Sequence, residues 1–258
     1  MKDSGIVLSL LILTVALVVL VGMVPEGSRA SFESTVEYLD TPSIPDDFLD
    51  IKDARARKQY LIDILLPLVL KANKKVSRQR KSLESIKKTA YWFSAKEKRI
   101  VDELAGKYRV ERDDYRTMVD ELLLRVDVLP NSIILAQAAI ESGWGTSRFA
   151  LEGNNLFGLR TLSGRGMVPK DRDDGKVFKV SRFKDLQSSI DYYLWNINSH
   201  PKYEELRQIR SRQTYPHDPF KLAQGLRHYS EIGEEYVQMV IWLIDYNNLR
   251  AYDSYTLE

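Results

Sequence analysis

Gln137 and Glu141 are the chemically conspicuous residues of the segment Ile133-Ile134-Leu135-Ala136-Gln137-Ala138-Ala139-Ile140-Glu141, which is otherwise wholly apolar. A spacing of four puts the two side chains on one face of a helix. A carboxylate at the end of an apolar helix costs free energy unless it is paired or used. Apolar surroundings, the negative end of the helix dipole and any second carboxylate nearby all raise its pKa. A glutamic acid that stays protonated near neutral pH suits proton donation to a leaving-group oxygen. The alternative is a buried glutamate paired with an arginine or capped by backbone, and position alone does not choose between them.

The residues that follow favour the chemical role. Ser142-Gly143-Trp144-Gly145-Thr146-Ser147 sets two glycines around a tryptophan directly after the acid, and Asn154-Asn155-Leu156-Phe157-Gly158 adds two amides, an aromatic ring and a further glycine. Rings stack on sugar faces, amides bond to hydroxyl and acetamido groups, and glycines permit close backbone approach. Trp144 fits a core position equally well, and Asn154 fits a turn. Taken together the set describes a glycan cleft.

These residues need elements to hold them. Pro130-Asn131-Ser132 predicts the start of the helix and Gly143 its end. The stretch 161–175 is rich in Gly and Asp, and 177–180 (Val-Phe-Lys-Val) reads as a short strand. Helical patterns cover 185–198, 202–212, 219–226 and 231–247, and earlier ones 94–108 and 113–126. Leu61, Ile64, Leu65, Leu68, Ala72 and Val76 mark one face of a further helix, in which Pro67 predicts a kink or a break. The fold class is therefore α+β and mostly α, with a small β-lobe inserted between helices. Residues 47–128 form a helical preamble, and 129–258 form the domain that carries Glu141.

Residues 6–24 are an apolar run of 19 residues without a formal charge. That length crosses a hydrocarbon core of about 30 Å and exceeds a usual signal-peptide core, so the segment reads as an anchor in the cytoplasmic membrane. Ser28-Arg29-Ala30 resembles a cleavage site and keeps removal of residues 1–30 as the alternative. Residues 31–46 read as a linker. The orientation from Lys2 places the remainder outside the cytoplasm, in the cell envelope. Residues 71–99 hold 11 Lys or Arg against Glu84 and Glu97, which is either a solvated face or a surface for anionic lipid or polymer. The net charge of only +2 gives no reason to expect a nucleic-acid partner. With no cysteine and three histidines in no zinc-binding spacing, neither a metal nor a cofactor is expected.

The segments A-Q-A-A-I-E-S-G-W-G-T-S-R-F-A and G-N-N-L-F-G resemble the motif of glycoside hydrolase family 73, the bacterial endo-β-N-acetylglucosaminidases, and within it the Bax-like proteins. The resemblance continues through Gly166–Lys170, Asn196–Pro201 and Leu226–Ser230, and it reaches back to about Ile51. It implies a lysozyme-like domain that cuts peptidoglycan glycan strands after N-acetylglucosamine, with Glu141 as the acid. Residue type makes Gln137, Trp144, Asn155 and Phe157 the candidate substrate contacts, and Tyr229 matches the tyrosine that lies beside the cleft in relatives. Members of the family carry a second acid in the β-lobe, often a glutamate. Here the lobe from 161 to 180 has no glutamate and offers Asp171, Asp173 and Asp174, of which Asp173 is the candidate. Assistance by the substrate's own acetamido group is the alternative. A lytic transglycosylase, which needs one glutamate, and a peptidoglycan-binding scaffold without activity are the competing functions.

Overall fold

The computed structural model describes residues 42–89, 92–161, 166–168 and 179–257. The apolar run 6–24, the linker up to residue 41, and Asp171, Asp173 and Asp174 lie outside the described residues. Among those described, no helix is long and apolar enough to cross a membrane.

The architecture is mostly helical. A long helix α1 (Ala54–Thr89) is followed by α2 (Ala95–Tyr108), α3 (Tyr115–Arg125), α4 (Asn131–Ser142) and the short α5 (Arg148–Gly153). Three small strands come next, β1 (Arg160–Thr161), β2 (Gly166–Met167) and β3 (Lys179–Ser181). Then come α6 (Leu186–Ser199), α7 (Glu204–Ser211), α8 (Pro219–Ala223) and α9 (Glu234–Tyr246), with short 3-10 turns between and after them. The strands form one antiparallel sheet in the order β1-β3-β2, with Val180 opposite both Arg160 and Met167.

Local chemistry accounts for most boundaries. Ser94 and Glu97 make a reciprocal capping box at the start of α2, and Asp114 caps α3 by accepting from the backbone of Arg116 and Thr117. α1 runs unbroken through Pro67. The proline removes one backbone bond, which costs about 3 kcal/mol in a helix interior. Ile62, Leu65, Leu66, Val69 and Leu70 are buried on both sides of it, and at roughly 1.5–3 kcal/mol per buried aliphatic side chain their packing outweighs that loss.

One continuous core spans residues 47–128 and 129–258 alike. α1 packs against α3, α4 and α6, and buried apolar residues from Ile44 to Leu249 form a single cluster. A polar clasp reinforces the junction. The buried guanidinium of Arg210 donates to the carbonyls of Arg125 (2.8 Å) and Asp127 (3.1 Å) and to the Asn198 amide oxygen (2.9 Å). It thereby satisfies backbone carbonyls left open where α3 ends. Burial disfavours the charge of Asp127, but the His217 hydrogen bond and the charges of Arg210 and Arg80 outweigh it and hold the carboxyl below the usual range.

At the centre lies α4. Its Asn131 side chain donates to the carbonyls of Tyr252 and Tyr255, and Ser132 bonds to Asp253 through both its backbone and its hydroxyl. The C-terminal 3-10 turn Leu249–Ser254 thus anchors the start of the helix. Gly143 ends it in a left-handed conformation (φ +57°), which glycine adopts without the usual Cβ cost. Every residue of α4 except Ile140 and Glu141 is buried.

Candidate active site

Glu141 projects from the last turn of α4 into an open groove of about 1540 Å³, walled by Phe157, Gly158, Tyr192, Lys202 and Tyr229 among others. Its Oε1 accepts a hydrogen bond from the Tyr236 hydroxyl at 2.8 Å. That hydroxyl accepts in turn from Gln137 Nε2 at 2.9 Å, and Gln137 Oε1 accepts from the Tyr193 hydroxyl.

The direction of this chain has a chemical consequence. An amide nitrogen only donates and a carbonyl oxygen only accepts. Gln137 therefore fills a lone pair of Tyr236 and leaves its single proton for Glu141 Oε1. When the carboxyl is protonated, its own proton is directed to Oε2. Gly158 stands beside that oxygen. A Cβ at Gly158 would lie 3.2 Å from Oε2, and the backbone there is left-handed (φ +61°). Glycine at this position keeps the space before the proton open and accepts the turn.

Electrostatics favour the protonated form. Burial raises the Glu141 pKa above its ordinary value, and neither the Tyr236 hydrogen bond nor the charge of Lys202 fully offsets it. The surrounding hydroxyls stay neutral, since burial and the nearby carboxyl push Tyr236 far up, and burial does the same to Tyr193 and Tyr229. Two aromatic stacks fix the wall. Tyr229 lies on Tyr236 with ring centres 5.2 Å apart, and Phe157 lies on Tyr193 at 4.1 Å. The Tyr229 hydroxyl ties the stacks together by donating to the Phe157 carbonyl at 3.0 Å.

The residues predicted from sequence fall into three groups. Glu141, Phe157 and Tyr229 line the groove. Gln137, Asn155 and Trp144 do not, and their expected contact with sugar gives way to other roles. Gln137 is fully buried, with both ends of its amide engaged by tyrosines, so it acts behind Glu141. Asn155 is buried too. Its Nδ2 donates to the carbonyls of Leu159 and Ser181, and its Oδ1 accepts from the backbone of Phe157 and Leu159. It therefore shapes the turn that carries Gly158 and fastens that turn to β3. Trp144 packs against the core with the Lys58 ammonium 4.6 Å above its ring. Asp173 lies outside the described residues. Among the described residues, Glu231 and Glu234 are the other carboxylates of the groove.

Sequence reasoning missed Tyr236, Tyr193, Lys202 and Tyr192. Tyr193 and Tyr236 sit at apolar-face positions of amphipathic helices, where they read as core. Nothing in local spacing links Tyr236 to a carboxyl 95 residues away. Tyr192 is 39% exposed on the groove wall, its ring wedged between Phe183 (5.6 Å) and Trp195 (5.0 Å).

Residues 116–249 match the family model described as Glucosaminidase, Mannosyl-glycoprotein endo-beta-N-acetylglucosaminidase. The chain is 31% identical over 217 residues to Protein bax of Escherichia coli (strain K12), an alignment covering 82% of this chain and 74% of that protein. No solved structure matches the chain.

Tyr236→Phe tests the hydrogen-bonded chain. Removing the hydroxyl takes away a donor that stabilises the Glu141 carboxylate, so the pKa of Glu141 rises. A reaction that needs the protonated acid is lost as pH rises through that pKa. The alkaline limb of a glycan-cleavage profile should therefore move to higher pH in Tyr236→Phe. A shift to lower pH, or none, would contradict the assigned role of the hydroxyl.

Proposed function

The chain belongs to the glucosaminidase-domain family as a Bax-like protein, and on that premise we propose that it hydrolyses peptidoglycan glycan strands with Glu141 as general acid. The observation that carries this reading is a groove-facing carboxyl raised in pKa by burial, its proton directed to Oε2 by the Tyr236–Gln137 chain.

The bond proposed is the β-1,4 link between N-acetylglucosamine and the following N-acetylmuramic acid. Glu141 Oε2 gives its proton to the departing oxygen, and water supplies hydroxide to C1 of the N-acetylglucosamine. The proton released from water returns to a base, either Asp173 in the lobe or Glu141 itself after the acetamido group has assisted departure. Tyr192 is a sugar platform suited to this, since an exposed ring already held between two others loses little freedom when a pyranose stacks on it. A lytic transglycosylase, which needs one acid only, is the second reading. It is favoured by the isolation of Glu141, the one groove carboxyl among the described residues that is drawn off the exposed surface.

Removal of the proton donor should cost about 10²-fold or more in rate. Glu141→Gln keeps the shape and should fold normally, so loss of digestion with an unchanged melting temperature supports the acid. Near-wild-type digestion would refute it. Borohydride reduction of the wild-type products reads the bond: N-acetylglucosaminitol ends mark the proposed cleavage, reduced muramic ends a muramidase, and anhydro-muramic ends a transglycosylase. The same assay on Asp173→Asn separates a lobe aspartate from acetamido assistance.

The apolar run 6–24 supports an inner-membrane tether with the catalytic part in the periplasm. Retention of the full chain in the membrane fraction supports the anchor. A soluble product beginning near residue 31 would show instead that the segment is removed.

A further inference from the structure

Four cations face the groove that holds Glu141: Arg109, Arg160, Lys202 and Arg227. Arg227 is balanced by Glu205 at 3.4 Å. Among the described residues, neither Arg109 nor Lys202 has a carboxylate within ion-pair distance. Arg109 lies over the Trp195 ring at 4.6 Å, and Lys202 lies over the rings of Tyr203 (4.9 Å) and Tyr229 (5.6 Å). Among the described residues, the groove's exposed carboxylates are Glu231 and Glu234, and Glu234 already accepts from Gln238 at 2.9 Å.

Lys202 and Arg109 both lie near His200. After burial, Lys202 and Arg109 are the charges that most depress the pKa of His200, and Arg160 depresses that of Lys202. Like charges gathered in one groove cost free energy, and a bound anion recovers it. The groove also exceeds the roughly 300–1,000 Å³ of a small-molecule site, which leaves room for groups branching from the glycan.

We infer that Arg109 and Lys202 bind a carboxylate carried as a substituent on alternate sugars, so that the groove selects an acidic glycan over a neutral one. The inference rests on the glycan-cleaving reading above and adds the substrate's charge to it. The Arg109 guanidinium offers a planar fork that a carboxylate fits in two places, and the Lys202 ammonium adds a point charge nearer the acid. In peptidoglycan such a carboxylate has two sources: the acidic residues of a peptide stem, and the lactyl group of muramic acid where the stem has been removed.

The test uses the full chain and soluble glycan strands in three forms: stem-bearing, stripped by an amidase to free lactyl groups, and either of these with carboxylates capped as methylamides. The wild-type protein should show a kcat/KM about tenfold or more higher on charged strands than on capped ones. Arg109→Gln and Lys202→Gln should each pull that ratio toward one. Taking the ratio within one enzyme cancels any effect of Lys202 on the acidity of Glu141. A preference for stem-bearing strands assigns the carboxylate to the stem, and a preference for stripped strands assigns it to the lactyl group. A wild-type ratio near one, or a ratio unchanged in both variants, overturns the inference. Binding of the same strands to Glu141→Gln keeps the two readings apart. If no form is cut by the wild type, the glycosidase reading fails, yet tighter binding of charged strands still upholds the cationic groove and equal binding still overturns it.

Discussion

The hydroxyl of Tyr236 stands between an amide that can only donate to it and a carboxyl that takes its only proton. Much of the site depends on that arrangement. It gives Oε1 of a partly buried carboxyl its hydrogen bond, where an unsatisfied buried oxygen would cost about 1–3 kcal/mol. It also decides which oxygen of Glu141 carries the acidic proton. The Tyr193 hydroxyl at the far end fixes the orientation of the Gln137 amide and so the direction of the whole chain.

Three helices and one turn must meet for this to work. α4 supplies Gln137 and Glu141, α6 supplies Tyr193, and α9 supplies Tyr236. The turn after α5 brings Phe157 and Gly158 against the acid. Asn155 secures that turn to β3, and the stacked tyrosines lock its carbonyl to Tyr229. The small sheet is thereby tied mechanically to the Glu141 carboxyl. The groove also carries cations, and Lys202 acts on Glu141 in the contrary sense to burial: it favours the carboxylate while burial favours the acid. The balance lies with burial, which leaves the carboxyl protonated to a higher pH than an ordinary glutamate.

Legibility in the sequence followed the range of the interaction. Helix limits set by neighbours were readable: Ser94 starts α2 and Gly143 ends α4, while Asp114 caps α3 one residue after the expected start at 113. So was Glu141, because a lone acid on an apolar helix is a local anomaly. Of the kink or break predicted at Pro67, the break did not occur, because packing along the whole of α1 decides that point and packing is not local. Gln137 and Asn155 were recognisable as unusual polar residues, but their partners come from distant segments or from the turn's own backbone, so a role inside the protein looked like a role toward sugar. Trp144 was ambiguous from composition and packs, partly buried, against the core. Tyr236 carried no signal, since a tyrosine on the buried face of a helix shows its use only when the helix is placed.

The central claim is that this enclosure holds Glu141 as an acid. It is tested most directly by titrating that one carboxyl in the folded, substrate-free protein, as the infrared carboxyl signal lost in a wild-type minus Glu141→Gln difference spectrum. The account predicts that the signal persists above the ordinary glutamate value of 4.5, with its midpoint on the alkaline side. A midpoint at or below 4.5 would contradict it, for the hydrogen bond from Tyr236 and the charge of Lys202 would then outweigh burial and leave a carboxylate with no proton to give.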